Sequence, residues 1–336
     1  RCRLATPVAH RPATSSSHVA RAGGATTELH IGDGAQRWPG GVHTPAALEA
    51  LLGGGGDALG SPPSQRWTLE HAVDVRTLSA RQLKCIQHGG YVEAERFDAA
   101  AFHLSPAEVG WMDPQQRLLL ELDYASLHAH GARKPDLLGS GTGHFLGMSK
   151  ADWSRYQFAR RGGYANYSVY ATTCDSNTVA SGRLSFVLGL HGPCETVDTA
   201  CSSSLVALQN ARLSVDAAEC DVAVVTAVRL ELTLQHTLDA AFAAMLSLNG
   251  RCFTLDRRAD GYVSSEGVGA IVIASLPPDG PRLAARASAA RFRRGAVRCD
   301  GRSASLTAPN GAAQRSLLAA VATHAAGGDE GALEAH

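Results

Sequence analysis

The chain has 336 residues, enough for one large domain or for two halves that share a substantial core. Its 31 Lys and Arg balance 31 Asp and Glu, which removes any general pull toward nucleic acid or an anionic membrane surface. The eight cysteines include no C-x-x-C pair, so neither a zinc knuckle nor a disulfide framework is indicated and a reducing compartment fits. No apolar run reaches the length of a bilayer span.

Residues 1–28 are rich in Arg, Ser, Thr, Pro and Ala and hold no acid before Glu28. They read as a disordered extension or interdomain linker, with an organelle transit peptide as the alternative. Glu28–Ile31 is a short, polar strand candidate, and Thr44–Leu52 a helix. Ser61-Pro-Pro-Ser64 is a turn cluster. Residues 65–90 show little periodicity and are expected as a loop ending in His88-Gly-Gly-Tyr91, where His88 reads as a turn histidine. Asp113 caps a helix with Pro114 at its first position. Leu118, Leu119, Leu122 and Ala125 are its expected apolar face. Thr142–Gly147 is a buried strand candidate. A helix over 175–189 carries Val179, Leu184, Val187 and Leu188 and stops at Gly189.

The next stretch, Glu195-Thr-Val-Asp-Thr-Ala-Cys-Ser-Ser-Ser204, changes period in its middle. Thr196–Thr199 can be extended with Val197 buried. From Ser202 onward Leu205, Leu208 and Leu213 recur at helical spacing. Cys201 is therefore expected on a sharp strand-to-helix turn made of small residues. A thiolate there is favoured by the helix N-terminus, and the unpaired N–H groups of that turn can hold an oxyanion. Ala200 and Ser202 stand in that vicinity. This is the construction of a nucleophilic cysteine rather than a buried structural one.

Cys220–Val228 is a continuous apolar run, the pattern of a central strand covered on both faces. Residues 235–245 read as a helix. Ala259-Asp-Gly-Tyr-Val-Ser-Ser-Glu266 leads into a strand at Val268–Ile273, where Gly267 and Gly269 permit close backbone approach. Glu266 reads as a structural carboxylate gripping backbone N–H groups, with an active-site carboxylate as the alternative. Arg282–Val297 is expected as an exposed strand, and 312–325 as a helix after the loop Asp300–Gly311.

Val197-Asp-Thr-Ala-Cys-Ser-Ser-Ser204 resembles the active-site segment of the β-ketoacyl synthase domains of polyketide synthases, with type I fatty acid synthases as near relatives. Arg37-Trp-Pro-Gly-Gly, Met112-Asp-Pro-Gln-Gln-Arg-Leu-Leu-Leu-Glu121, Gly182–Pro193, the Ala259–Gly269 block and Asp300–Gly311 resemble the same family. Glu334-Ala-His336 resembles the opening of its E-A-H-G-T-G-T motif, 135 positions after Cys201.

The resemblance implies a thiolase-like layered α/β/α/β/α fold of two related halves, the first at 29–250 and the second, at 251–336, incomplete. It implies decarboxylative Claisen condensation. Cys201 would take an acyl chain from the phosphopantetheine of acyl carrier protein, and His336 would be the first of two histidines that polarise the malonyl thioester. Thr307, Pro309 and Asn310 would lie near the substrate. No bound cofactor or metal is implied, and neither nucleic acid nor a membrane span; a homodimer is. The location would be cytoplasmic or plastid. The family's second histidine, its lysine and its glycine-rich loop are not in the sequence, so these 336 residues alone are not expected to condense. Two alternatives remain open at this stage: a non-condensing ketosynthase serving as acyl relay or scaffold, and a thiolase-like acyltransferase that uses coenzyme A.

Overall fold

The computed structural model describes residues 29–32, 34–149, 151–163, 168–275 and 290–322. The extension 1–28, the segment 282–289 and Glu334-Ala-His336 lie outside the described residues, as does the end of the last expected helix.

One mixed sheet organises the rest. Its strands are β1 (Leu29–Ile31), β2 (Ala35–Arg37), β3 (Gly143–Met148), β4 (Cys194–Val197), β5 (Val222–Arg229), β6 (Gly267–Ser275) and β7 (Ala290–Phe292). They run in the order β4-β3-β5-β6-β1-β7, with β2 beside β6. β3 lies parallel to both β4 and β5, while β6 is antiparallel to β5, β1 and β2. The sheet crosses position 250, because β5 and β6 pair from Val222–Ala274 to Arg229–Gly267. β5 is the central strand that its apolar run predicts. Its ladder is filled on both sides, and Ala223, Val224 and Val225 are buried on alternate faces.

The described α-helices longer than four residues are α1 (Pro45–Gly53), α2 (Ala80–Cys85), α3 (Pro114–His130), α4 (Trp153–Arg160), α5 (Asn177–Leu188), α6 (Ser203–Asp216), α7 (Gln235–Phe242) and α8 (Gly311–Ala322). Asp113 caps α3 as the sequence indicates, accepting from the Gln115 N–H at 2.7 Å. Leu118, Leu119 and Leu122 are buried under it. Ala125 is exposed instead, and Ser126 takes the inward place, where its hydroxyl joins Ala35 N–H to the Ala270 carbonyl of β6. Two strands thereby gain a polar link that an alanine could not supply.

The 65–90 stretch is not a plain loop. Ser79 and Gln82 form a reciprocal capping box that starts α2, and Leu78, Cys85 and Ile86 pack with Leu234 and Leu246 in a small core of their own. The helix is too short for apolar periodicity to reveal it, although the S-x-x-Q cap is visible in the sequence.

α6 covers one face of the sheet and α3 with α5 the other. On the first face Ala207, Ala211 and Val215 press against Phe145, Ala223, Val225 and Ile273. The stripe is i, i+4, i+8, but of small residues, which bring the helix axis close to the strands. Leu205 and Leu213, expected inward, point outward at 69% and 54% exposure. On the second face Leu184, Leu188, Leu120 and Leu127 pack with Val224 and Val272.

Candidate active site

β4 ends at Val197 and α6 begins at Ser203, so the five residues 198–202 must reverse the chain's direction. They do it with one left-handed residue. Ala200 has φ +55°, a conformation that costs a non-glycine residue roughly 1–2 kcal/mol. Side chains hold that conformation. Asp198 Oδ1 accepts from Ala200 N–H at 3.0 Å and from Ser149 Oγ at 3.2 Å. Ser203 Oγ accepts from Thr199 N–H at 2.9 Å and donates to the Ala200 carbonyl at 2.7 Å. Ser202 Oγ donates to the Thr199 carbonyl at 2.9 Å. The hydroxyls of the Cys-Ser-Ser run are thus spent on closing the turn, and Cys201 is left exposed at its apex.

The turn also needs room. A Cβ on Gly147 of β3 would lie 2.7 Å from the backbone of Ser203 and Ser204, so glycine there lets the N-terminus of α6 rest against the strand. The first N–H groups of that helix and its lead-in turn have no intrahelical acceptors and provide the positive end of the dipole beside the sulfur. Tyr262 lies within electrostatic reach of Cys201. Its phenol is pushed up by burial and by Glu231 and Cys201, against a downward pull from Arg229.

Glu266 grips backbone as expected. It accepts from Val92 N–H and from Glu231 N–H, each at 2.9 Å, and pairs with Arg66 at 3.0 Å. Burial pushes its carboxyl above the ordinary range, against the pull of Arg66 and of the two N–H donors. This clamp ties the His88-Gly-Gly-Tyr91 loop to the start of β6. His88 itself lies over Gly250, where any Cβ would collide with the ring.

Asn310 caps α8. Its Oδ1 accepts from Ala312 and Ala313 N–H, and its Nδ2 donates to the carbonyls of Asp300 and Arg302. Thr307 and Pro309 are exposed on the loop that Asn310 closes. Among the described residues no hydrogen bond or ion pair links this loop to residues 198–204. His336 lies outside the described residues, so the structure places Cys201, Ala200 and Ser202 together and leaves its distance to them undefined.

Sequence reasoning passed over a second cluster. Cys194 lies opposite His144 in the parallel β4–β3 register, and His144 is fully buried. His144 Nδ1 is 3.1 Å from the Ser181 carbonyl, and Nε2 is 3.3 Å from Asp123 Oδ2. Asp123, also fully buried, accepts from the Thr226 hydroxyl. A histidine inside the apolar run Gly-His-Phe-Leu-Gly was the available sign.

A cysteine at an αL elbow between a sheet strand and a helix, with the next strand parallel and a helix layer on each face, is an arrangement compatible with the thiolase-like class of folds. The model of the β-ketoacyl synthase N-terminal domain matches residues 31–278, and the chain belongs to the β-ketoacyl synthase family. One of the phenolphthiocerol/phthiocerol polyketide synthase proteins of Mycobacterium tuberculosis is 37% identical over 294 residues, which is 85% of this chain and 13% of that protein. The spectinabilin polyketide synthase system protein NorA' of Streptomyces orinoci is 38% identical over 304 residues, 89% of this chain and 8% of that one. Among solved structures, the ketosynthase from module 6 of the bacillaene synthase of Bacillus subtilis 168 superposes with a TM-score of 0.74 at 27% identity, covering 88% of this chain and 48% of that chain. The oxazolomycin ketosynthase domain OzmH KS7 of Streptomyces albus JA3453 gives 0.74 at 28%, covering 88% and 50%. The chain thus spans about half of the solved ketosynthases it matches and a small part of the curated synthases.

Proposed function

We propose that this chain supplies the nucleophile half of a ketosynthase that condenses acyl and malonyl units carried on the phosphopantetheine of acyl carrier protein. The Cys201 thiolate attacks the carbonyl of the carrier-bound acyl thioester. The tetrahedral oxyanion collapses, the phosphopantetheine thiolate leaves, and the acyl group stays on Cys201. A malonyl thioester then loses CO2, and its enolate carbon attacks the acyl-Cys201 carbonyl. The new carbon–carbon bond forms as the Cys201 thiolate departs. His336 is assigned as one of two histidines that donate to the enolate oxygen, where each such donor is typically worth about 10²–10³ in rate. Thr307, Pro309 and Asn310 are assigned to the wall facing the carrier arm.

The observation that carries this reading is the exposed Cys201 at an αL apex held by three seryl and aspartyl side chains. Incubation with an acyl carrier protein bearing a short acyl chain should add that acyl mass to the tryptic peptide containing Cys201, and Cys201→Ala should stay unmodified. Acyl mass on another residue would overturn the assignment. Preferential loading from acyl-coenzyme A would favour a thiolase-like acyltransferase. Loading without condensation by a complete domain would favour an acyl relay.

The same reading includes a two-fold dimer. Among the described residues β4 is an open sheet edge, and exposed apolar side chains flank it on both faces: Leu205 and Leu213 from α6, and Phe186 from α5 at 85% exposure. An open edge with an apolar rim is self-complementary about a two-fold axis. Light scattering should read a dimer at micromolar concentration, and Leu205→Glu with Leu213→Glu should shift it to a single-protomer mass. A wild-type monomer at that concentration would refute the dimer.

A further inference from the structure

Arg229 is a charged side chain that the chemistry assigned to Cys201 leaves unused. It is the last residue of β5, two places beyond Ala227. Ala223 and Val225 of that strand pack on Ala207 and Ala211 of α6, whereas Val224 and Thr226 meet α5 and α3 on the other face. Alternation therefore sends the Arg229 side chain out on the α6 face. The Cys201 turn lies on that face as well. Gly147 of β3 stands in register with Val197 of β4 on one side and Ala227 of β5 on the other, and the backbone of Ser203 and Ser204 rests against it. The three strands are parallel, so Arg229 and the turn emerge together at their C-terminal ends. Two strand spacings, about 10 Å, separate them. In open α/β sheets such ends are where ligands bind.

The guanidinium is fixed from behind. Its Nη2 donates to Glu231 Oε1 at 2.6 Å and to Ser264 Oγ at 3.1 Å. Glu231 is held in turn by the Ser264 hydroxyl and by Thr237 Oγ1 at 3.0 Å. The Glu231 side chain is 3% exposed and that of Arg229 is 41% exposed. One nitrogen is thus anchored on a buried carboxylate, while the three N–H groups of Nε and Nη1 have no acceptor among the described residues. Tyr262 stands within electrostatic reach of both Arg229 and Cys201.

We propose that Arg229 selects the acyl group taken by Cys201, by donating its remaining N–H groups to a neutral oxygen of the acyl chain, and that β-oxygenated acyl thioesters are preferred to saturated ones. The inference rests on the acyl-transfer reading of Cys201. A neutral oxygen follows from the charges, because Glu231 already balances the guanidinium and a substrate carboxylate would bring a second negative charge beside it. The β position follows from the span. The arginine side chain covers most of the gap between the strands, so the oxygen it meets belongs to the first carbons beyond the thioester carbonyl. The supplying reaction is then a condensation, with or without reduction of its ketone, and without loss of water.

The test loads the full chain from pantetheine thioesters of butyrate and of each enantiomer of 3-hydroxybutyrate, and follows the acyl mass on the Cys201 peptide with time. The better hydroxyl enantiomer should load about tenfold faster than butyryl, the worth of one hydrogen bond from a charged group partly open to water. Arg229→Met should bring the two rates within about twofold of each other. A merely structural defect would slow both thioesters alike and leave their ratio standing. If Arg229→Met does not fold, the pair Arg229→Met, Glu231→Gln takes its place, because it leaves no buried carboxylate without a cation. A wild-type ratio within about twofold, or a tenfold ratio that survives in the folded variant, would overturn the proposal. Faster loading of a succinyl thioester than of either hydroxybutyryl one would overturn it too, since an anion would then be the preferred group. No acyl mass on Cys201 from any thioester would overturn the acyl-transfer reading and the selection with it, whereas equal rates overturn the selection alone.

Discussion

Cys201 and Cys194 stand seven positions apart, and they are built in opposite ways. Cys201 sits in a site made almost wholly of its immediate neighbours. Asp198, Thr199, Ser202 and Ser203 close the turn, and the helix that follows supplies the field. Cys194 has a site made of distant residues, from positions 123, 144, 181 and 185. The first construction is local and appears in the sequence as a motif. The second exists only once β3 and β4 are in register and two helices cover them. The surroundings of a cysteine can therefore be spelled out by eight consecutive letters or be assembled from residues scattered along the chain.

The strongest way to break this comparison is to remove the local nucleophile. Cys201→Ala should lower acyl loading by at least about 10³-fold, since a covalent step without its nucleophile has no substitute. Cys194→Ser should leave loading within about twofold, because nothing joins its side chain to the turn. Intact mass after incubation with acyl carrier protein reads both. If Cys194→Ser lost loading as severely as Cys201→Ala while remaining folded, the two sites would not be separate.

A second way is to move the elbow without touching its side chains. Gly147→Ala places a methyl 2.7 Å from the backbone of Ser203 and Ser204. Overpacking against backbone costs about 1–3 kcal/mol, because a helix terminus cannot rotate aside as a side chain can. A displacement near 1 Å can cost about 10² in rate. Thermal unfolding and acyl loading should both fall. A stable Gly147→Ala protein that loads normally would show that the close approach of α6 to β3 is not required.

How much of this was legible beforehand follows the same division. The elements α3, α5, α6, β3 and β5 were readable, because they carry periodicity or continuous apolar runs over six residues or more, whereas α4 (Trp153–Arg160) was not anticipated. The role of Glu266 was readable as a carboxylate beside glycines entering a strand. The burial of α6 was not. Its leucines suggested an apolar face, but packing close to a sheet selects Ala207 and Ala211 and turns Leu205 and Leu213 outward. Composition cannot distinguish a helix that must approach closely from one that packs at ordinary distance. The loop-closing bonds of Asn310 were hidden because they reach back to Asp300 and Arg302, although its capping of α8 through Ala312 and Ala313 is a local signal. The His144–Asp123 pair was hidden because strand register and helix phase must both be known.

That buried pair sharpens the comparison through pH. Burial opposes charge on His144, but Asp123 outweighs it, and the folded-state value rises to about 9. A raised value means that the folded state binds the proton more tightly. The resulting stability is fully present below the unfolded value of about 6.5 and is lost as pH rises through 9. Wild type should therefore lose stability between about pH 7 and pH 10 relative to His144→Gln, measured by urea unfolding. Parallel pH profiles would show that His144 is neutral in the fold.

The smallest expected effect tests whether the strain at the elbow is required. Ala200 is held at φ +55°, and only the surrounding hydrogen bonds oblige it to stay there. Ala200→Gly removes a steric cost of roughly 1–2 kcal/mol. It also widens the freedom of the unfolded chain, which returns about 0.5–1 kcal/mol. The net should be a gain of about 1 kcal/mol or less. Acyl loading should change by less than about threefold, because Asp198 and Ser203 still fix the turn that aims Cys201. Chemical unfolding with an unchanged m-value would read the first quantity and intact mass the second. A loss of stability greater than about 1 kcal/mol would mean that the alanine methyl makes a contact the turn depends on. A tenfold loss of loading without loss of stability would mean that the methyl itself positions the sulfur, so that even the local site is not made by the backbone alone.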